Sequence, residues 1–328
     1  MRKINMKKKV VVLGGGTGLS TLLRGLKLLP LDITAVVSVS DDGRSTGKLR
    51  EEFNICAVGD LRQVIASLSA TEPLFEKLLN YRFETTSDLN GHAVGNLLLT
   101  ALANITGNLQ EGIETLGKVL NLKGKVLPIT LDSPTLVGEM IDGKIIKGEH
   151  NITEYQKKIK KVYYEEEVTI NPNVIKALKE ADLIILSMGS LYTSIIPDLL
   201  NKEIIKTLDK IKAPIMYVCN MMTQPGETDD YTVSEHIKVL NEYLGKKKIE
   251  VVVANNGDIP NEILIKYSTE EQKDKLRGAI RFFSGDRNNI AVQVNDNGQI
   301  KPCGAIYLNE EILVQFEEIL GKENIVLQ

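Results

Sequence analysis

Six short apolar segments, separated by segments with helical periodicity, constrain the fold of this chain more than any other feature. The strand-like segments are KVVVL, DITAVVSVS, KVLPIT, ADLIILSM, APIMYVCN and IEVVVAN. The helix-like segments include STLLRGLKLL, DLRQVIASLS, VGNLLLTALANI and VSEHIKVLNEYLG. Strands that are apolar on both faces and are joined by helices are typical of a parallel sheet covered on both sides. The sequence therefore predicts an α/β protein.

The domain organisation follows from what interrupts this alternation. The chain has 328 residues and no Pro/Ser-rich linker, so we expect one large domain over 1–328, with 268–328 as a less regular C-terminal part. Asp-Gly in IDGKII and Asn-Gly in VNDNGQI favour tight hairpins. The charged segment EYQKKIKKVYYEEE is interpreted as a solvated helix and loop.

Composition excludes several classes of protein. The formal net charge is −3, so no global basic field attracts nucleic acid. No apolar run is long enough to span a membrane, and the basic start leads into a strand rather than a signal core. Three scattered cysteines without a pair motif suit a reducing cytoplasm. Only three histidines occur, which argues against a His-rich metal site.

A glycine-rich turn follows the first strand, in the sequence VVVLGGGTGLSTLLRGL. A β-branched strand that leads through glycines into a helix offers backbone N–H groups to a phosphate. The candidate phosphate-binding residues here are Gly14, Gly15, Gly16, Thr17 and Gly18. The dinucleotide fingerprint needs a third glycine, and Leu19 or Thr21 stands at that position. A nicotinamide dehydrogenase is therefore disfavoured, although Asp41 stands where the ribose-binding acid would.

Polar residues also follow three other predicted strands. Ligands of open parallel sheets bind at the carboxyl ends of the strands, so these residues are candidates for the same site. They are Asp41, Asp42 and Ser45 after the second strand, Gly189, Ser190 and Ser194 after ADLIILSM, and Asn220, Thr223, Gln224 and Glu227 after APIMYVCN. The alternative for each group is helix capping or turn formation. A P-loop is excluded at GRSTGKL, because the glycine spacing is short and Leu49 replaces the magnesium-binding Ser or Thr.

Two further helix starts carry polar candidates. Asp60 and Arg62 begin DLRQVI, where the acid could instead stabilise the helix N-terminus. His92 and Asn96 are four residues apart in GHAVGNLLL, so in a helix they would share one face. A single histidine is more often structural than catalytic, but this polar edge on an apolar helix favours a functional role.

At these residues the chain resembles a known family. The segments LGGGTGLSTLLRGLK, DDGRSTGKLR, GDLR, GHAVGN, GSLYTSIIPDLL and CNMMTQPGET resemble, in order, the signature segments of the gluconeogenesis-factor (YvcK-type) proteins. These belong to the superfamily of the 2-phospho-L-lactate transferase CofD. The resemblance runs from about residue 8 to about residue 267. It implies a Rossmann-like three-layer αβα fold with a mostly parallel sheet, and residence in the cytoplasm. It also implies binding of a UDP-sugar, typically UDP-N-acetylglucosamine, with a role in growth on gluconeogenic carbon and in cell shape.

The base-binding end of such a site is predicted at two residues. Tyr267 follows the sixth predicted strand and could stack its ring on a uracil, or simply pack on the protein body. Lys301 is the nearest match to a basic C-terminal residue of the family. The chain also departs from the family pattern at Arg44 and Thr46, which stand where the family usually has Gly and Ser.

Two functions remain open from sequence. The first is a nucleotide-sugar-binding regulatory protein without turnover, which the resemblance favours and which is compatible with a homo-oligomer and regulatory protein partners. The second is a transferase that acts on a nucleotide-diphosphate-linked phospholactyl donor with magnesium. In that case Asp41, Asp42 and Asp60 would hold the metal, and Asp60 and His92 would be the catalytic residues.

Overall fold

The computed structural model describes residues 7–70, 73–220, 223–224, 226–229, 231–254, 291–294 and 300–302. Each of the six predicted apolar segments contains a strand. The strands are β1 (Lys8–Gly14), β2 (Leu31–Val37), β3 (Lys125–Pro128), β4 (Leu136–Met140), β5 (Ile145–Lys147), β6 (Ile159–Tyr164), β7 (Leu183–Leu186), β8 (Ile215–Val218), β9 (Val251–Val253), β10 (Ala291–Val294) and β11 (Ile300–Pro302).

The main sheet has the order β11-β10-β9-β8-β7-β1-β2-β3. Its six strands from β9 to β3 are parallel, whereas β10 and β11 are antiparallel at one edge. The chain builds outward from β1 to β3, then returns to the other side of β1 with β7. The strand order therefore reverses between β1 and β7, which is the switch point where ligands of such sheets bind.

Ten α-helices are present in the described ranges. They are α1 (Gly16–Leu26), α2 (Arg44–Phe53), α3 (Gly59–Leu68), α4 (Pro73–Asn80), α5 (Val94–Thr106), α6 (Leu109–Val119), α7 (Glu149–Tyr155), α8 (Pro172–Glu180), α9 (Lys202–Leu208) and α10 (Val233–Tyr243). A π-helix (Leu191–Ile195) and a 3₁₀-helix (Ile196–Leu199) follow β7. The predicted Rossmann-like three-layer α/β fold is confirmed. No described helix has the length and apolarity that crossing a membrane requires.

Local sequence explains where four of the ten α-helices begin. Asn108, Asn171 and Asn201 each accept a hydrogen bond from the first turn of the helix that follows, and Thr232 with Glu235 forms a capping box on α10. Helices α1, α2, α3, α5 and α7 have no side-chain cap from their N-cap residue. In α1 this residue is Gly15, so the first N–H groups of the helix are left for another partner.

A small antiparallel sheet, β5-β4-β6, is inserted between β3 and β7 and carries α7. The hairpin predicted at Asp142–Gly143 joins β4 to β5, with Gly143 at φ +83°. The prediction of helix and loop over residues 154–167 is wrong, because residues 159–164 form β6. Lys160 and Lys161 both pair with Glu139 on β4, at 2.7 and 3.0 Å. These cross-strand ion pairs, with Ile159 and Val162 buried beneath them, place the charges on the face of a strand.

The C-terminal prediction is described only in part. Strands β10 and β11 pair antiparallel around VNDNGQI, as its Asn-Gly predicted, while residues 295–299 lie outside the described residues. The other residues of 268–328 also lie outside them, so the proposed single domain stays a prediction.

Gly18 fixes how closely α1 approaches the end of β7. A Cβ atom built on Gly18 would lie 1.1 Å from the carbonyl oxygen of Met188. We expect Gly18→Ala to lower the free energy of unfolding by more than about 3 kcal/mol, beyond the usual cost of overpacking, because backbone must move. Urea denaturation followed by circular dichroism measures this change.

Gly25→Ala is the matched control on the same helix. A Cβ on Gly25 meets no atom within 4 Å, and alanine favours the helix by about 0.5–1 kcal/mol. Equal stabilities of the two variants would contradict the close approach described for Gly18.

Candidate functional site

The glycine turn lies at the switch point, where β1 ends and α1 begins. Gly14 has φ +144° and Gly16 has φ +60°, both in the region that disfavours side chains. A Cβ on Gly14 would lie 2.1 Å from Ser187 Oγ at the end of β7. The turn is therefore held against the neighbouring strand, and Thr17 is exposed at its outer side.

Asp60 occupies the space directly below this turn. A Cβ on Gly15 would lie 2.4 Å from Asp60 Oδ2, and the Gly16 N–H donates a hydrogen bond to the carboxylate. Asp60 thus caps α1 from another helix, α3. Burial, reinforced by the charge of Asp41, raises the pKa of Asp60 to about 7, against the opposing effects of the Gly16 hydrogen bond and Arg62.

The loop after β2 brings Asp41 to the same place. Asp41 Oδ1 accepts the Gly43 N–H at 2.8 Å, and a Cβ on Gly59 would lie 2.9 Å from Asp41 Oδ2. Asp41 and Asp60 therefore face one another. Asp42 points elsewhere: its Oδ1 accepts the His150 N–H at 2.9 Å, at the start of α7.

This loop is held by Arg50 of α2. The Arg50 guanidinium donates to the carbonyl oxygens of Ser40 and Asp41, at 3.3 and 3.0 Å. It also donates to Ser133 Oγ and to the Pro134 carbonyl, both at 2.9 Å. One planar side chain thus ties the acidic loop to the segment that leads into β4.

A buried basic group lies near these acids. Arg62 is 4% exposed; one of its amino groups donates to Asn80 Oδ1, while its Nε has no partner within the described residues. Burial and Arg82 lower the pKa of Arg62 to about 10, and the charges of Asp60 and Asp41 oppose this.

His92 and Asn96 do not share a helical face, because α5 begins only at Val94. The prediction of one face is wrong, since residues 81–94 pair back on themselves through the Arg82–Ala93 bridge. Asn96 is nevertheless fully buried, and neither end of its amide has a hydrogen-bond partner among the described residues. The same holds for Nδ1 of the buried His92 and Oγ of the buried Ser45. Such groups normally have partners, and a bound ligand or water can supply them.

On the other side of the turn, β7 leads into the π-helix. Ser190 caps it, so Ser194 lies inside this helix rather than at its start. Cβ atoms built on Gly15 and Gly189 would lie 3.4 and 3.3 Å from Ser194 Cβ. Gly189 and Ser194 therefore lie beside the glycine turn, whereas the Ser190 hydroxyl is directed at Thr193 and Glu227.

Glu227 is buried against this helix start. The Ser190 hydroxyl lies 2.5 and 2.7 Å from its two carboxylate oxygens, and Thr193 Oγ1 lies 3.3 Å from Oε1. The Tyr192 N–H donates to it at 3.3 Å. Burial raises the pKa of Glu227, and these three donors oppose the rise. Ser190 and Glu227 thus already bind each other.

The remaining predicted residues after β8 line the same edge. Asn220 Nδ2 donates to the Gly189 carbonyl at 2.7 Å, and its buried Oδ1 has no partner in the described part of the chain. The Gln224 N–H donates to Thr228 Oγ1 at 2.8 Å, which shapes the turn around Glu227. Thr223 is buried beside it.

Two acids of the site were missed from sequence. Burial and the charges of Asp41 and Glu227 raise the pKa of Glu149, the first residue of α7, to about 8, and the Thr193 hydroxyl opposes this rise. Asp198, in the 3₁₀-helix, is fully buried facing the Gly14 amide, and burial raises its pKa well above the usual value. Glu149 follows β5, which is not one of the six predicted strands, and Asp198 follows the π-helix, so the rule that selects residues at the ends of predicted strands does not find them.

Magnesium fits only part of the predicted ligand set. Asp41 and Asp60 could bind it together with ligand phosphates, whereas Asp42 is engaged with α7. Within the described ranges, no group of three or more His, Cys, Asp or Glu side chains could hold a metal ion. Tyr267 lies outside the described residues, and Lys301 is placed only as part of β11, opposite Gln293.

The raised pKa of Asp60 makes stability depend on pH. Between about pH 4 and 7 the folded protein retains a proton on Asp60 that the unfolded chain releases, so this group lowers stability as pH rises. We expect Asp60→Asn, which can still accept the Gly16 N–H, to have the same free energy of unfolding as the parent at pH 4. At pH 8 the free energy of unfolding of the variant should be higher by about 1–3 kcal/mol. This is less than the roughly 4 kcal/mol that a three-unit pKa shift represents, because the carboxylate is still partly solvated.

Urea unfolding of parent and variant across this pH range measures the difference. The difference reports on Asp60 together with Glu149 and Asp198, whose pKa values the Asp60 charge raises, while acids that do not interact with Asp60 cancel. A difference that does not change with pH would contradict the raised pKa.

Comparisons with known proteins identify relatives of this architecture. Residues 10–281 match the family model described as 2-phospho-L-lactate transferase CofD. The protein of Bacillus subtilis named gluconeogenesis factor is 48% identical over 271 residues, covering 82% of this chain and 86% of that protein. The protein of the same name from Halalkalibacterium halodurans is 45% identical over 267 residues, covering 81% of this chain and 83% of that protein.

A solved structure is similar over most of the chain. The crystal structure of a member of the UPF0052 family from Bacillus halodurans is 43% identical, with a TM-score of 0.77, and the match covers 83% of this chain and 90% of that one. The family model, the relatives and the solved structure therefore each match most of the chain. On these matches, the chain belongs to the CofD family and is homologous to the proteins named gluconeogenesis factor.

Proposed function

We propose that this protein is a cytoplasmic regulatory protein that binds a nucleotide-diphosphate sugar, of the kind of UDP-N-acetylglucosamine, at the switch point. The name of its relatives suggests a role in growth on gluconeogenic carbon. The family resemblance adds a role in cell shape. One observation carries the proposal: the first turn of α1 has no side-chain cap of its own, only its Gly16 N–H is taken up by Asp60, and the buried Ser187 Oγ beside Gly14 has no partner among the described residues.

These unpartnered atoms favour a polar ligand. A buried donor or acceptor without a hydrogen bond costs about 1–3 kcal/mol. They belong to Ser187 beside Gly14, to Asn220 beside Gly189, and to Ser45, Arg62 and Asn96 on helices α2, α3 and α5, and they offer both donors and acceptors. A diphosphate accepts hydrogen bonds and carries negative charge, so it suits the α1 N-terminus and Arg62. A sugar adds hydroxyl groups for the acceptors.

A second candidate function is a magnesium-dependent transferase acting on a nucleotide-diphosphate-linked phospholactyl donor. The facing pair Asp41 and Asp60, together with the CofD family match, favours it. The two carboxylates would hold magnesium, which when bound would neutralise phosphate charge. With a pKa near 7, Asp60 could also accept a proton. His92, the other predicted catalytic residue, is buried in the segment just before α5. Relatives named gluconeogenesis factor at 45–48% identity favour the regulatory function instead.

Gly16→Ala tests where the phosphates bind. A Cβ on Gly16 would lie 3.8 and 3.9 Å from the Asp60 carboxylate oxygens, on the side proposed for the diphosphate, and its φ of +60° would cost about 1–2 kcal/mol of stability. We expect the affinity for UDP-N-acetylglucosamine, measured by calorimetry, to fall at least tenfold. Gly25→Ala should bind as the parent does; an unchanged affinity of Gly16→Ala would refute this placement.

Asp60→Asn distinguishes the two functions. If Asp60 holds magnesium against a phosphate, the variant should lose the gain in affinity that magnesium gives the parent, while binding without magnesium stays equal or improves because a negative charge is removed. Calorimetry with and without magnesium measures this change, and Glu52→Gln, on the exposed surface of α2, is the control.

Analysis of the products distinguishes the two functions independently. For a regulatory protein, chromatography should recover the nucleotide sugar intact after incubation. Transfer of the phospholactyl group to the hydroxyl group of an added acceptor, with release of the nucleoside monophosphate, would establish the transferase.

A further inference from the structure

A groove between α8 and α9 lies at the opposite end of the strands from the glycine turn. It is bordered by Ala181 and Ala213, which come just before β7 and β8. Because these two strands are parallel, the residues that precede them lie at the end opposite to the carboxyl ends. The groove has a volume of about 590 Å³. It is therefore separate from the site proposed for the nucleotide.

The lining of this groove combines apolar and basic side chains. Ile175 is buried and Ile211 is half-buried, so both contribute apolar surface. Glu203, in the first turn of α9, is the acid among the described lining residues. The chain has a formal net charge of −3, so the positive charge at this groove is a local feature. It comes from four exposed lysines, Lys179, Lys206, Lys210 and Lys212.

The acids next to these lysines along the chain are bound elsewhere. Glu180 pairs with Lys9 Nζ at 2.7 Å, and Asp182 Oδ2 accepts the Lys9 N–H at 2.8 Å. Asp209 Oδ1 accepts the Lys246 N–H at 2.9 Å. None of the salt bridges in the described part of the chain includes a lysine of the groove. Their positive charge is therefore not neutralised by these neighbours.

Helix ends account for part of this charge. Lys179 and Lys206 lie in the last turns of α8 and α9, where a cation stabilises the helix. Lys210 and Lys212 lie beyond the end of α9 and do not have this role. Their position beside an apolar floor is typical of a surface that binds a partner of opposite charge.

We propose that this groove is a docking surface for an acidic, amphipathic segment of a partner protein. The carboxylates of such a segment pair with the lysines, and its apolar side chains pack on Ile175 and Ile211, as in other complexes of an amphipathic helix with a groove. Nucleic acid is the less suitable polyanion, since the described lining contains neither an arginine nor an aromatic ring on which a base could stack.

Fluorescence anisotropy on the full chain tests this with a labelled twelve-residue peptide that repeats Glu-Leu-Leu-Glu. The groove variant carries Lys206→Gln, Lys210→Gln and Lys212→Gln. The matched control variant loses the same charge at three exposed lysines that do not line the groove, through Lys118→Gln, Lys123→Gln and Lys238→Gln. Thermal unfolding checks that both variants fold.

We expect the groove variant to bind the peptide about tenfold more weakly than the parent, because each exposed ion pair strengthens binding by a factor of about two to three. The control variant should bind as the parent does. On the parent, replacing every Glu of the peptide by Gln tests the charges, and replacing every Leu by Ser tests the apolar floor. Both changed peptides should bind more weakly than the original.

Three outcomes overturn the inference. The first is that the parent does not bind the peptide, and the second is that the groove variant binds it as tightly as the parent. The third is that a twelve-nucleotide oligothymidylate binds the parent more tightly than the peptide and loses this affinity in the groove variant, which would make the groove a nucleic-acid site.

Discussion

The close approach of α1 to the end of β7 determines the rest of this site. Gly18 lies against the Met188 carbonyl and Gly14 against Ser187, at distances that leave no room for a side chain. This approach places the N-terminus of α1 beside the start of the π-helix, at the switch point where the strand order of the parallel sheet reverses. The turns after β1 and β7 thus pack against each other, and the loop after β2 and helix α3 bring Asp41 and Asp60 beside them.

Several acidic side chains are removed from water at this site, which is energetically unfavourable for their charged forms. Asp41, Asp60, Glu149 and Glu227 face one another, and burial raises the pKa of the last three. Hydrogen bonds from Gly16, Thr193 and Ser190 stabilise these acids in part. Their mutual repulsion lowers the stability of the folded chain, and such a cost is typical of sites arranged for a ligand rather than for folding.

The sequence predicts the part of this site that depends on local pattern. Continuous apolar strands predicted the sheet, and the rule that ligands bind at strand ends selected Gly14, Asp41, Gly189 and Asn220, which lie at one edge. The features that were missed or predicted wrongly depend on contacts between residues that are distant in sequence. Strand β6 was missed because its lysines pair with Glu139 on another strand. Glu149 was missed because it belongs to the inserted small sheet. The prediction that His92 and Asn96 share a helical face was wrong because α5 begins after His92. The roles of the residues at this edge remain predictions.

The attachment of the small sheet has a consequence for shortening the chain. Arg50 joins the acidic loop to Ser133 and Pro134, and Asp42 joins it to the backbone of His150. The insertion between β3 and β7 is therefore an outer scaffold for a loop of the main sheet. A minimal version of this protein designed by deleting the insertion would keep every strand of the parallel sheet. It would nevertheless leave Arg50 with half of its acceptors and the Asp41 loop without its outer support.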